Sequence, residues 1–194
     1  MTPRDSSTQT NRPFAPRALL VATVFGLVAS AIVLAGLTIP IGGTDIVTDP
    51  REIFTTLGAA LTGPAGGVIV GVLAGLPEPN GIPLAGVLAH VAGGFWMGVS
   101  YKKLVYERFE VPALLAGWAV LVVAYYFVFL VPGFVIGVRV FYGQAFTTVF
   151  DEATSLAGAY MALARGAVPE VVLTTVFTTL VVLALPRKYR RPLW

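Results

Sequence analysis

Few side chains in this chain of 194 residues could do chemistry, and their spacing points to binding rather than catalysis. His90 is the only histidine, so neither a two-histidine metal site nor an HExxH motif can be assembled. The absence of cysteine removes disulfides, thiolate metal sites and cysteine nucleophiles together. Asp151 and Glu152 are adjacent acids, and neighbours on a helix do not share a face, which weakens an acid–base dyad. Gly66-Gly-Val-Ile-Val-Gly71 lacks the lysine and hydroxyl of a phosphate-binding loop. A non-catalytic protein without metal or cofactor is expected, and any energy it uses would come from a partner.

The elements that must position these residues are membrane helices. With 56% hydrophobic residues, 12% charged residues and a mean hydropathy of +0.81, the chain carries more apolar surface than a soluble core of this length can hide. The pI near 9.4 reflects basic clusters that anchor helix ends, so no nucleic-acid partner is expected. Twenty-one Gly and fourteen Pro suit close helix contacts and broken helices in lipid.

The expected fold class is all-α integral membrane: a six-helix bundle with helices at about 18–38, 53–62, 65–76, 83–103, 111–132 and 168–186. Residues 1–16 read as a disordered cytoplasmic tail, 17–191 as one membrane domain, and 133–167 as an outer loop. The first apolar segment is longer than the core of a cleaved signal peptide and is expected to stay. Gly63-Pro64, followed by Gly66-Gly67, should turn the chain into a short helical hairpin, because proline disfavours helix at the residue before it.

Charge helps to choose between topologies. Ten of the thirteen basic residues form three clusters: Arg4, Arg12 and Arg17; Lys102, Lys103 and Arg108; and Arg187, Lys188, Arg190 and Arg191. With the hairpin and the outer loop in place, all ten lie inside, both termini are cytoplasmic, and only Arg51, Arg139 and Arg165 lie outside. An alternative in which 53–76 crosses once and 140–163 also crosses leaves eight inside and five outside, a weaker bias. The first arrangement sends Asp45, Asp49, Glu52, Glu78, Asp151, Glu152 and Glu170 to the outer face.

Ala18, Ala22, Gly26 and Ser30 recur at every fourth position of the first helix, a small-residue stripe that lets another helix approach closely in lipid. That stripe, the loop Pro40-Ile-Gly-Gly-Thr-Asp45, the turn Leu61-Thr-Gly-Pro64, the glycines that follow it, the basic stretch at Lys102-Lys103 and the ending Leu185-Pro-Arg-Lys188 form a recognisable arrangement over most of Arg17 to Arg191. It resembles the substrate-binding S component of energy-coupling factor (ECF) transporters. The resemblance implies a plasma-membrane protein that captures a vitamin or related micronutrient outside the cell. It also implies partners, namely a transmembrane T component and two cytoplasmic ATPase subunits. By the same resemblance Ala18 and Ala22, extended by Gly26, would contact the T component, while packing within the bundle is the alternative use of the stripe.

An external pocket would be lined by the outer loops and the outer halves of the later helices. The substrate-binding candidates are therefore Asp45, Asp49, Asn80, His90, Tyr125, Tyr126, Arg139, Tyr142, Gln144, Asp151 and Glu152. His90 can bind a heteroaromatic ligand or bond a helix neighbour, and Tyr125 and Tyr126 can form a stacking platform or an interfacial belt. Asp151 and Glu152 can receive a cationic group or pair with Arg139 or Arg165. Phe95, Trp96 and Trp118 read as core or lipid contacts. Two other classes fit part of the pattern, a ligand-sensing membrane module and a structural accessory subunit of a membrane complex.

Overall fold

A computed structural model describes residues 15–37, 39–40, 47–78, 81–108, 110–143, 149–150 and 155–194. Helices dominate: α1 (Pro16–Leu34), α2 (Arg51–Gly75), α3 (Pro83–Tyr101) with a π-helical extension (Lys102–Tyr106), α4 (Val111–Ala124), a π-helical stretch (Tyr125–Leu130), α5 (Val131–Phe141), α6 (Leu156–Ala184) and the short α7 (Arg187–Arg190). Between α1 and α2, β1 (Ile39–Pro40) pairs antiparallel with β2 (Val47–Thr48). Among the described residues, five helical stretches are long and apolar enough to cross a membrane: Pro16–Leu34, Arg51–Gly75, Pro83–Tyr106, Val111–Phe141 and Leu156–Ala184.

The second of these is doubled back. Gly63 has φ 80° and ψ −172°, a left-handed excursion open to glycine, and Pro64 follows it. The Arg51 guanidinium donates to the carbonyl of Ala74 at 3.4 Å, although 23 residues of straight helix would hold the two about 35 Å apart. Each arm is therefore only about 18 Å long, short of the roughly 30 Å of a bilayer core. Neighbours compensate: Leu193 N–H donates to the Leu61 carbonyl at 2.9 Å, satisfying a group left over at the end of the first arm.

Glycine sets the packing of the second arm. Gly67, Gly71 and Gly75 lie against the backbones of Gly94, His90 and Gly86, and Gly98 lies against Gly63; a Cβ at any of these four would collide with main-chain atoms. This antiparallel register brings two backbones together in lipid, where packing replaces the hydrophobic drive. The stripe on α1 is used in the same way. Ala18, Ala22 and Gly26 are buried within the chain, with Ala22 beside Gly66 and Gly26 beside Leu73, while Ser30 donates to the Leu73 carbonyl. Intramolecular packing thus occupies the face assigned above to a partner.

Two boundaries differ from the expectation. The loop placed at 133–167 is helical through Phe141 and again from Leu156, and α6 begins twelve residues earlier than 168. Pro132 sits inside the continuous helical run Val111–Phe141, just after the π-helical stretch, and supplies no N–H to the turn before it. Its ring displaces the bonding of the preceding turn into the π-helical stretch, and the Phe127 carbonyl accepts from the Tyr160 hydroxyl at 3.1 Å. Pro169 lies inside α6 without ending it.

The ends of the bundle differ in charge. At the turn end, Tyr101 donates to the Arg190 carbonyl at 2.9 Å, Arg187 lies over the Tyr106 ring, and Arg108, Arg187 and Arg190 line one small recess. α1 starts at this end too, so the described members of all three basic clusters share it. Arg51, Glu52, Glu78 and Glu170 lie toward the opposite end, around a cavity, with Asp49 beside Arg51.

Candidate ligand-binding site

Glu52 lies in the first turn of α2, with 1% of its surface exposed. The fold-back at Gly63 and the glycine contact with α3 together carry it to His90, 38 positions away in sequence, whose Nε2 lies 2.8 Å from Glu52 Oε1. His90 Nδ1 lies 2.7 Å from the Gly86 carbonyl oxygen. The Tyr125 hydroxyl donates to Glu52 Oε2, and Arg51 Nε approaches Asp49 at 3.3 Å and Glu52 at 3.4 Å. Asp49 also accepts from the Arg51 backbone N–H at 2.9 Å. Burial pushes the Asp49 carboxyl above the ordinary carboxylate range, and the nearby Arg51 charge offsets part of that rise.

On the facing side, the Tyr126 hydroxyl donates to Glu170 Oε1 at 3.0 Å and shares a hydrogen bond of 2.9 Å with Thr174. The π-helical stretch starts at Tyr125, and both consecutive tyrosines are fully buried, one turned to the carboxylate of α2 and the other to that of α6. Wide π-helical turns of this kind recur where function needs an irregular side-chain arrangement.

Between these two sets of groups lies a cavity of about 620 Å³, within the range that small-molecule sites occupy. Its polar lining comes from Arg51, Glu52, Glu78, His90, Tyr126 and Glu170. Its apolar lining includes Leu130, Val131, Phe134, Phe150 and Leu163. The rings of Phe134 and Phe150 meet edge to face, with centroids 6.2 Å apart. A few convergent polar groups in an otherwise apolar concavity are what a ligand site requires.

Of the residues singled out from sequence, His90 and Tyr126 line this cavity, while Asp49 and Tyr125 support it through Arg51 and Glu52. Arg139 is exposed and Tyr142 accepts from the Leu84 N–H at 3.3 Å; neither lines the cavity. Asp45, Asn80, Gln144, Asp151 and Glu152 lie outside the described residues. Tyr125 and Tyr126 are too deeply buried to form an interfacial belt. His90 combines the two roles weighed for it, bonding the helix neighbour Gly86 while facing the cavity. Trp118 is core, Phe95 is exposed, and Trp96 stacks on Phe129 at 5.1 Å.

The groups that sequence reasoning passed over are Arg51, Glu52, Glu78 and Glu170. The available signal was position: Glu52 opens an apolar segment and Glu170 stands inside one, and ionisable residues within apolar helices mark function by default. No protein-family model matches this chain, and comparison with curated proteins and with solved structures returns no match.

Proposed function

We propose that this chain is the membrane-embedded substrate-capture subunit of an ECF-type transporter. It would bind a vitamin or related micronutrient at the extracellular face of the plasma membrane for uptake by partner subunits. The observation that carries this reading is the cavity of about 620 Å³ at the acidic end of the bundle, opposite the basic clusters. Retention of basic residues in the cytosol would put the turn end inside and open the acidic end to the exterior. Counting the two arms of α2 separately then gives six crossings with both chain ends cytoplasmic. A ligand held between Glu52 and Glu170 would be delivered by a T component and two ATPases, since this chain has no phosphate-binding loop of its own. Contact with a T component through Ala18 and Ala22 would require α1 to move off α2, because both residues are buried there.

The test is purification in mild detergent, denaturation, and mass spectrometry of whatever is released. One small molecule at near-stoichiometric yield is expected, together with co-purification of a co-expressed T component. An empty protein that also fails to bind a panel of vitamins, purines and amino-acid derivatives overturns the reading. Ligand binding without any T component points instead to a sensing module.

A further inference from the structure

The charges around the cavity do not balance. Arg51 is matched by Asp49 at 3.3 Å, with Glu52 only slightly farther away at 3.4 Å. The Gly86 carbonyl oxygen can only accept, so His90 Nδ1 carries a proton, and Nε2 faces Glu52 Oε1 at 2.8 Å across a second. Written as imidazolium with glutamate or as imidazole with glutamic acid, the His90–Glu52 pair is neutral as a unit. Glu170 is left over. It accepts from the Tyr126 hydroxyl, and among the described residues no Lys, Arg or His lies within ion-pair distance of it. Glu78, also in the lining, adds no positive charge.

We infer that the cavity takes a positively charged ligand with a flat aromatic body, its cationic group against Glu170. This rests on the capture reading and narrows its substrate class. A buried carboxyl is costly to ionise without a counter-charge and otherwise keeps its proton, and a cationic ligand supplies the counter-charge that would hold it ionised. Tyr126, Phe134 and Phe150 are among the lining residues, and aromatic rings are favourable neighbours for a cation and for a flat ring system. An anionic ligand would have to draw Arg51 away from two carboxylates that already hold it.

Matched probes decide the matter. One ring system is offered as cation, neutral molecule and anion: 1-methylnicotinamide, nicotinamide and nicotinate, then tryptamine, tryptophol and indole-3-acetate. Binding to the purified full chain is read by thermal shift and by competition with any co-purified molecule. The cationic member of a set should bind about tenfold or more tighter than the neutral one, as a charge-assisted contact predicts, with the anion weakest. Glu170→Gln should remove that advantage and leave the neutral probe unchanged, while Glu170→Asp should keep it. The molecule released on denaturation should itself be a cation.

A neutral or anionic preference, a released molecule without positive charge, or undiminished cation binding by Glu170→Gln would overturn the inference and leave the capture reading standing. An empty protein that binds none of the six probes overturns the inference, and one that fails the wider panel of vitamins, purines and amino-acid derivatives as well takes down the capture reading with it. If Glu170→Gln does not fold, the charge ranking of the native chain and the charge of the released molecule decide alone.

Discussion

The cavity has two walls of opposite construction. One is the α2–α3 pair, where Gly67, Gly71 and Gly75 bring main chain against main chain, and where Glu52 and His90 are locked by hydrogen bonds at each end. The other is α6, which buries Ala159, Ala167, Val171, Thr174, Thr178 and Val182 and is tied to its neighbours by side-chain hydrogen bonds. Its handholds are few: Tyr126 on Glu170 and Thr174, Tyr160 on the Phe127 carbonyl, and Trp118 on Thr178 at 2.6 Å. Backbone contacts have one solution, whereas side-chain contacts re-form after a small displacement. The wall carrying the Glu52–His90 pair is thus expected to be the fixed reference, and the wall carrying Glu170 the one that would yield if a ligand bound.

The strongest way to break this contrast is Gly67→Leu. The new side chain would push against the Gly94 carbonyl, which belongs to main chain and cannot rotate away, so α3 must separate from α2. Overpacking of a yielding core costs about 1–3 kcal/mol, and an unyielding backbone should exceed that. The folded species should be lost altogether, seen as aggregation on size-exclusion chromatography in detergent. A monodisperse variant with native melting behaviour would show that the α2–α3 contact is not the rigid part.

How much of this arrangement was legible in the sequence follows from the same contrast. The membrane class, the turn at Gly63-Pro64 and the basic clusters are local signals of composition and punctuation, and they could be read in place. His90 and Tyr126 were reachable as polar groups within apolar helices. Glu52 and Glu170 read only as acids of the outer face because their partners stand far off along the chain: His90 is 38 residues from Glu52, Tyr125 is 73, and Tyr126 is 44 residues from Glu170. Glycines at 63, 67, 71 and 75, with others at 86, 94 and 98, do carry a four-residue period, but each set becomes informative only when the other is known to face it. Pro132 and Pro169 misled by pointing to helix ends. The helices run on through both, and at Pro132 the Phe127 carbonyl is taken up by Tyr160 of α6, a tolerance that close neighbouring helices allow.

A milder perturbation tests the movable wall. Trp118→Phe keeps most of the buried ring volume but removes the indole N–H that reaches Thr178 across the α4–α6 contact. The expected loss is about 1 kcal/mol, the ordinary worth of one such bond between membrane helices. Because Trp118 is not among the residues lining the cavity, ligand affinity should stay within about twofold. A collapse in stability on the scale of Gly67→Leu would mean that α6 is held as firmly as α3, and the two walls would no longer differ in kind.

The smallest expected effect is the most direct measure of slack in α6. Gly166 stands inside that helix, and a Cβ placed there would meet nothing within 4 Å. Gly166→Ala should therefore add no clash and reduce the backbone freedom lost on folding, stabilising the chain by about 0.5 kcal/mol. For a protein of this size that is a rise of roughly 1–2 °C in melting temperature. The sign matters more than the size, because the same Gly→Ala change at Gly67 would drive a Cβ into the Gly94 carbonyl and lower the melting temperature. Opposite signs for one chemical change at two glycines would express the difference between the walls. A fall at Gly166 would place an uncounted contact against α6 and remove the reason for treating it as free to shift around a ligand.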